Sequence, residues 1–196
     1  VDDGVLGTRE RLLRAAIDDI ALHGYAGARV DRISKSASAN VERVYSYFGN
    51  KEGLFAEVLD RAVGQLGEEL GAQHSNLDEF ADALFDFVAS HPCENRVVMW
   101  ARLERPSEML ELVGRAQAQP GSPLETLTRF QNEGTMRPEW AAAEVLEVLL
   151  HTSVIAMETT DAASARSLVA QVAGSFSTSR SVSRETEEPR PGRGAA

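Results

Sequence analysis

Residues 29–55 read RVDRISKSASANVERVYSYFGNKEGLF, two short helical patterns that meet at a tight turn. In the first, Val30, Ile33 and Ala37 recur at i, i+3 and i+7 and stack on one face of a two-turn helix. Ser38 and Ala39 supply the turn. Asn40 is a good N-cap, a side chain that accepts from a free backbone N–H of the next turn, so the second helix begins at Val41. Its apolar side is Val41, Val44 and Phe48 with the ring of Tyr45, while Glu42, Arg43, Ser46 and Tyr47 project from the opposite arc. A merely solvated helix would carry flexible Lys and Glu on that arc. Here the arc carries rigid hydrogen-bonding groups, and those four residues are the candidates for reading base edges. Asn50 caps a third helix starting at Lys51, which sets free N–H groups and a cation where a phosphate is favoured. Arg29, Asn40, Tyr45 and Lys51 are the phosphate candidates.

Ala15-Ala16, His23-Gly24-Tyr25, Val30, Ile33, Val44-Tyr45-Ser46-Tyr47-Phe48, Asn50-Lys51-Glu52 and Leu54-Phe55 occur in this order and spacing. Together with a helix over 8–23, this pattern resembles the DNA-binding domain of the TetR family of bacterial regulators. There are two departures. Ser38 stands where the family usually places glycine in the turn, at a cost of about 1 kcal/mol if the position needs positive φ. Glu42 stands where a small residue or proline is more usual, and it either repels phosphate or accepts from a cytosine N4 amine. The resemblance implies a homodimeric regulator of transcription, a repressor, on a palindromic operator in double-stranded DNA. It also implies a larger domain that encloses a small molecule, whose binding moves the two readers out of register with successive major grooves.

The chain has 196 residues and a formal net charge of −10. The sum argues against a nucleic-acid partner, but the distribution does not. Between residues 29 and 51 the basic residues Arg29, Arg32, Lys35, Arg43 and Lys51 outnumber the acidic Asp31 and Glu42, and the acid excess lies mostly beyond residue 60. Cys93 is the single cysteine, so no intrachain disulfide forms. No basic and apolar leader and no apolar run of roughly 20 residues is present, so a cytoplasmic protein with no membrane segment is expected. His23, His74, His91 and His151 are scattered, without metal-ligand spacing. No Gly-rich phosphate loop, GxSxG or HExxH occurs. The expectation is a protein that is not an enzyme, with no metal and no cofactor.

Leu, Ala, Glu and Arg dominate, which favours helix over sheet, and the fold class is all-α. The organisation expected is a three-helix helix-turn-helix domain over 1–51, an effector-binding and dimerisation bundle over 52–176, and a flexible tail over 177–196, where apolar residues almost vanish. A long helix from Lys51 to about Gly71, roughly 30 Å at 1.5 Å per residue, joins reader to body. Further helices are expected over 77–90, over 93–104, from a Ser107 cap to the Pro120-Gly121 break, from Pro123 towards a stop at Gly134, over 141–157 and over 165–176. The run 134–140, GTMRPEW, resembles the loop that TetR regulators commonly place before their penultimate helix.

On the penultimate helix apolar residues cover more than one face, so one side suits a core and another suits a partner. Val145, Leu149 and Ile155, with Leu168, Val172 and Phe176 on the last helix, are the candidates for a four-helix dimer interface. Phe85, Met99, Trp100, Leu103, Phe130 and His151 are the candidates for lining an effector pocket, which would be adaptable and largely apolar. The main alternative is a helical dimer that binds DNA architecturally, or serves as an adaptor, with no small-molecule effector.

Overall fold

The computed structural model describes residues 7–71 and 74–178, and the described residues fold as ten α-helices. α1 (Thr8–Gly27), α2 (Val30–Ser36) and α3 (Val41–Phe48) form the unit expected to read DNA, here called the reader, and α4 (Lys51–Leu70) leads into the body. The body comprises α5 (Leu77–Ser90), α6 (Pro92–Glu104), α7 (Pro106–Gln117), α8 (Pro123–Asn132), α9 (Ala142–Thr159) and α10 (Ala162–Phe176).

The helix starts follow local chemistry. Asn40 accepts from Arg43 N–H at 3.0 Å, Asn50 from Gly53 N–H at 2.7 Å and Asn76 from Glu79 N–H at 2.9 Å. Asp161 caps α10 through Ala163 and Ser164 N–H. Each such cap stabilises its helix by about 1 kcal/mol. Pro92, Pro106 and Pro123 open α6, α7 and α8, where the missing N–H has no intrahelical acceptor anyway. α7 therefore begins at Pro106 with Arg105 flanking it, one residue ahead of the expected Ser107 cap.

Two backbone positions shape the reader. Ser38 has φ 50, so the turn between α2 and α3 does use the left-handed region and carries the serine penalty of about 1 kcal/mol. Gly24 has φ 69 and interrupts α1, which frees residues 25–27 to form one further turn against α6.

The reader's core joins Leu12, Ile17, Ile20, Ile33, Val44, Leu54 and Phe55 to Val97, Ala101, Met109 and Leu112 of α6 and α7. A second core gathers Leu70, Phe80, Leu84, Phe85, Leu127, Phe130, Met136, Val145, Leu149, Val169 and Phe176. Five of the expected site residues lie in this core. Phe85 and Phe130 are buried between helices, where large aromatic side chains fill the centre of the bundle. Val145, Leu149 and Phe176 are likewise buried in the protomer's own core.

The chain after α10 is held at its start. Met136 and Ser177 form an isolated antiparallel bridge, Arg137 N–H donates to Phe176 O at 2.9 Å and Thr178 N–H donates to Thr135 O at 3.1 Å. Of the tail expected over 177–196, these two residues pair with the 134–137 loop, and 179–196 lie outside the described residues.

Candidate nucleic-acid interface and effector cavity

α3 buries Val44 and Phe48 and leaves Glu42, Arg43, Ser46 and Tyr47 exposed on one arc. Tyr45 departs from expectation: its ring is 51% exposed, outside the apolar side. Tyr47 keeps an edge-on contact with Phe48, ring centroids 6.1 Å apart, which limits its rotation. Asn40 Nδ2 donates to Glu42 Oε2 at 2.8 Å while Asn40 Oδ1 accepts from Arg43 N–H. The Asn40 amide thus works as cap and tether, and a carboxylate occupies the ground beside the α3 N-terminus. Of the Asn40 side chain, the acceptor is used by the cap and one donor is turned to Glu42.

Lys51 begins α4 at the free N–H groups capped by Asn50, and its Nζ sits 4.6 Å from the centroid of the Tyr25 ring. Arg29 is exposed, and its backbone N–H donates to Asp19 Oδ2 at 3.1 Å. Arg32, counted among the reader's cations by sequence, is bound to Asp19 through Nε and through Nη2 at 2.9 Å, and to Gly27 O at 3.0 Å. Asp19 is only 7% exposed. Burial pushes its carboxyl up, but the bonds from Arg32 and from Arg29 N–H outweigh that and hold it below the usual aspartate range. The sequence signal for this anchor was an acid inside the apolar stripe of α1, between Ile17 and Ile20.

Reader and body meet where the end of α1 packs on α6. Glu104 Oε2 accepts from Ala26 N–H at 2.9 Å, and Trp100 Nε1 donates to Ala21 O at 3.3 Å. Trp100 is therefore a docking residue between the two parts, and Leu103 on the same helix is 75% exposed. Neither belongs to the cavity described next, because the turn of α6 that carries them faces α1 and solvent.

A cavity of about 160 Å³ lies between α4, α6, α7 and α9. Val63, Leu66, Val98, Met99, Val113, Ala116 and Leu150 give it an apolar wall. Met99 and His151 are the two expected pocket residues that reach it. Arg102 and Glu147 pair at 3.0 Å at its edge, and His151 Nδ1 lies 3.4 Å from Glu147. The volume suits a group the size of a benzene ring, and the thioether of Met99 can move to admit more.

Val148, Ile155 and Leu168 are 42%, 54% and 43% exposed and form an apolar stretch of α9 and α10. Val172 is partly buried against the second core. Among the described residues no group of three His, Cys, Asp or Glu is arranged to hold a metal ion, and no helix is long and apolar enough to cross a membrane.

Residues 12–58 match the model of the bacterial regulatory proteins of the tetR family, and residues 76–185, more than half of the chain, match the tetracyclin repressor-like C-terminal domain. The chain belongs to the TetR family of transcriptional regulators. The chain is 31% identical over 143 residues to the HTH-type transcriptional repressor SCO4008 of Streptomyces coelicolor, covering 73% of this chain and 74% of that one. Over 92 residues it is 33% identical to the HTH-type transcriptional repressor NicS of Pseudomonas putida, 43% of each chain. Among solved structures, the transcriptional regulator SCO4942 of Streptomyces coelicolor superposes with a TM-score of 0.69 at 33% identity, over 87% of this chain and 98% of that one. The TetR-family reader plus helical body is thus the arrangement of this chain, and TetR regulators bind DNA.

Proposed function

We propose that the protein is a repressor that binds a palindromic operator as a homodimer and is released by a small, largely apolar effector. The observation that carries the DNA reading is the exposed arc of Glu42, Arg43, Ser46 and Tyr47 on α3, next to Lys51 at a capped helix N-terminus. On this reading Arg43, Ser46, Tyr47 and Glu42 face base edges, with Arg43 pairing a guanine and Glu42 accepting from a cytosine amine. Arg29, Tyr45 and Lys51 contact phosphates and fix the register. The repressor sign is supported by the two relatives described as repressors.

The apolar stretch Val148, Ile155 and Leu168, with Val172 at its edge, is the face on which a second copy docks. Two readers related by two-fold symmetry then require half-sites about one helical turn apart or a multiple of it. The cavity beside Met99 and His151 receives the effector's apolar part, with the Arg102–Glu147 pair at the polar end.

Selection of bound sequences from a random duplex pool at physiological salt tests the reading. Enrichment of a two-fold symmetric sequence is the expected result. A pool that returns without enrichment overturns sequence-specific reading by α3.

A further inference from the structure

Arg105 belongs to the corner between α6 and α7, in the body, yet its guanidinium lies on the reader. Its Cζ is 4.6 Å from the centroid of the Tyr25 ring, the same ring that has Lys51 Nζ at 4.6 Å. Tyr25 Oη donates to Glu52 Oε1 at 2.8 Å, and the Phe55 ring centroid is 4.6 Å away. Glu108 holds the guanidinium from behind: Arg105 Nε donates to Glu108 Oε1 at 2.9 Å, and Nη2 lies 2.6 Å from the same oxygen. Two cations and the Glu52 carboxylate thus meet one aromatic ring at the junction of α1, α4 and the α6–α7 corner, with Glu108 behind Arg105.

The ring is what gives Lys51 a fixed address. An ammonium on a four-carbon stem is mobile unless something seats it, and the face of an aromatic ring attracts it electrostatically. The ring in turn is partly exposed, packs against the core that the reader shares with α6 and α7, and has polar or ring contacts with Phe55, Glu52 and Arg105. Of these last three, Arg105 comes from the body. The Glu52 contact also carries charge, since the hydroxyl of Tyr25 and the cations Arg105 and Lys51 favour its ionised form.

We infer that Arg105 is a positioning residue for DNA binding: through the Tyr25 ring it holds Lys51 Nζ at the α4 N-terminus, so a residue of the body sets the strength of a phosphate contact in the reader. This rests on Lys51 being a phosphate ligand. No part of it requires Arg105 to touch DNA.

Fluorescence anisotropy of the full chain on a duplex carrying the selected sequence, at several salt concentrations, tests it with Lys51→Ala, Arg105→Ala, the double variant and Arg105→Lys. Arg105→Ala is expected to weaken binding roughly threefold to tenfold, within the range of one cation–π contact, and to flatten the salt dependence. The double variant is expected to bind no more weakly than Lys51→Ala alone, and Arg105→Lys to restore most of the loss, because it returns a cation to the ring. Additive losses in the double variant overturn the inference and make Arg105 an independent contact. A lower melting temperature with an unchanged salt dependence also overturns it and leaves Arg105 a purely structural role. If Lys51→Ala binds as the wild type does, it is the phosphate reading of Lys51 that fails. Should Arg105→Ala not fold, Glu108→Gln loosens the same guanidinium, and a smaller loss of the same kind is expected; no loss overturns the inference.

Discussion

Trp100 lies against Gly24 so closely that a side chain at residue 24 has nowhere to go. A Cβ there would sit 3.0 Å from Trp100 Cε3 and 2.5 Å from Glu104 Oε1, and the residue has φ 69. The absence of a side chain at this point lets α1 turn and lets the body seat itself on the reader. Gly24→Ala combines a left-handed alanine with an overpacked contact and is expected to cost about 2 to 4 kcal/mol. A urea titration that returns the wild-type midpoint would remove the contact from the account of stability.

Asp19 makes stability depend on acid. Its folded pKa is depressed from 3.8 by Arg32 and the Arg29 N–H, against the effect of burial. A depressed carboxyl contributes stability that is fully present above the unfolded value, and the contribution is lost as pH falls through the folded one. The stability gap between wild type and Asp19→Asn is therefore expected to be open at neutral pH and to narrow below about pH 4. A gap that stays constant down to pH 2.5 contradicts the assignment.

Arg43 is the sharpest test of base reading. Arg43→Ala is expected to weaken the selected sequence by about 1 to 3 kcal/mol and to relax preference at one base pair in each half-site. If all sequences weaken alike, Arg43 moves to the phosphate contacts.

Ile155 lies on the exposed face of α9. A charge there would be desolvated in any dimer built on that face, so Ile155→Arg is expected to give a monomer in sedimentation velocity at concentrations where the wild type is a dimer. Its helix content should be unchanged, because the side chain is outside the protomer's core. A dimer that survives the substitution places the interface elsewhere.

The cavity can be probed without knowing its ligand. Saturating benzene is expected to raise the melting temperature of the wild type through binding to the folded state. Ala116→Leu, which extends a wall residue into the space, should abolish that shift at a stability cost of about 1 to 3 kcal/mol. Equal shifts in both proteins would locate benzene binding away from this wall.

The local parts of the fold were legible because their causes are local. Asn40 and Asn50 precede their helices by one residue and cap them, and Ser38, at the turn position where glycine is usual, is left-handed. The cavity and the apolar faces were less legible. Phe85, Phe130 and Val145 sit on apolar stripes, and periodicity says that a stripe is buried without saying whether it meets core, cavity or partner. Met99 and His151 line the cavity, whereas Trp100, one residue further along α6, packs against α1. The junction was not legible at all: Ala26 and Glu104 are 78 residues apart, and no spacing rule links them. Arg105 carried only one sign in the sequence, its position before a proline that opens a helix.

The bond between Arg32 and Asp19 has a consequence for how the protein feels its ionic surroundings. A guanidinium already neutralised inside the fold displaces no condensed ion when it approaches a duplex. Of the other basic residues within 29–51, Arg29, Lys35, Arg43 and Lys51 have no carboxylate at ion-pair distance among the described residues. With roughly −0.9 in the logarithmic salt slope for each phosphate neutralised, each reader's ionic strength response is expected to be smaller than its count of basic residues implies. The single aspartate buried in α1 thus trades part of the protein's general adhesion to polyanions for a rigid frame behind the reading helix.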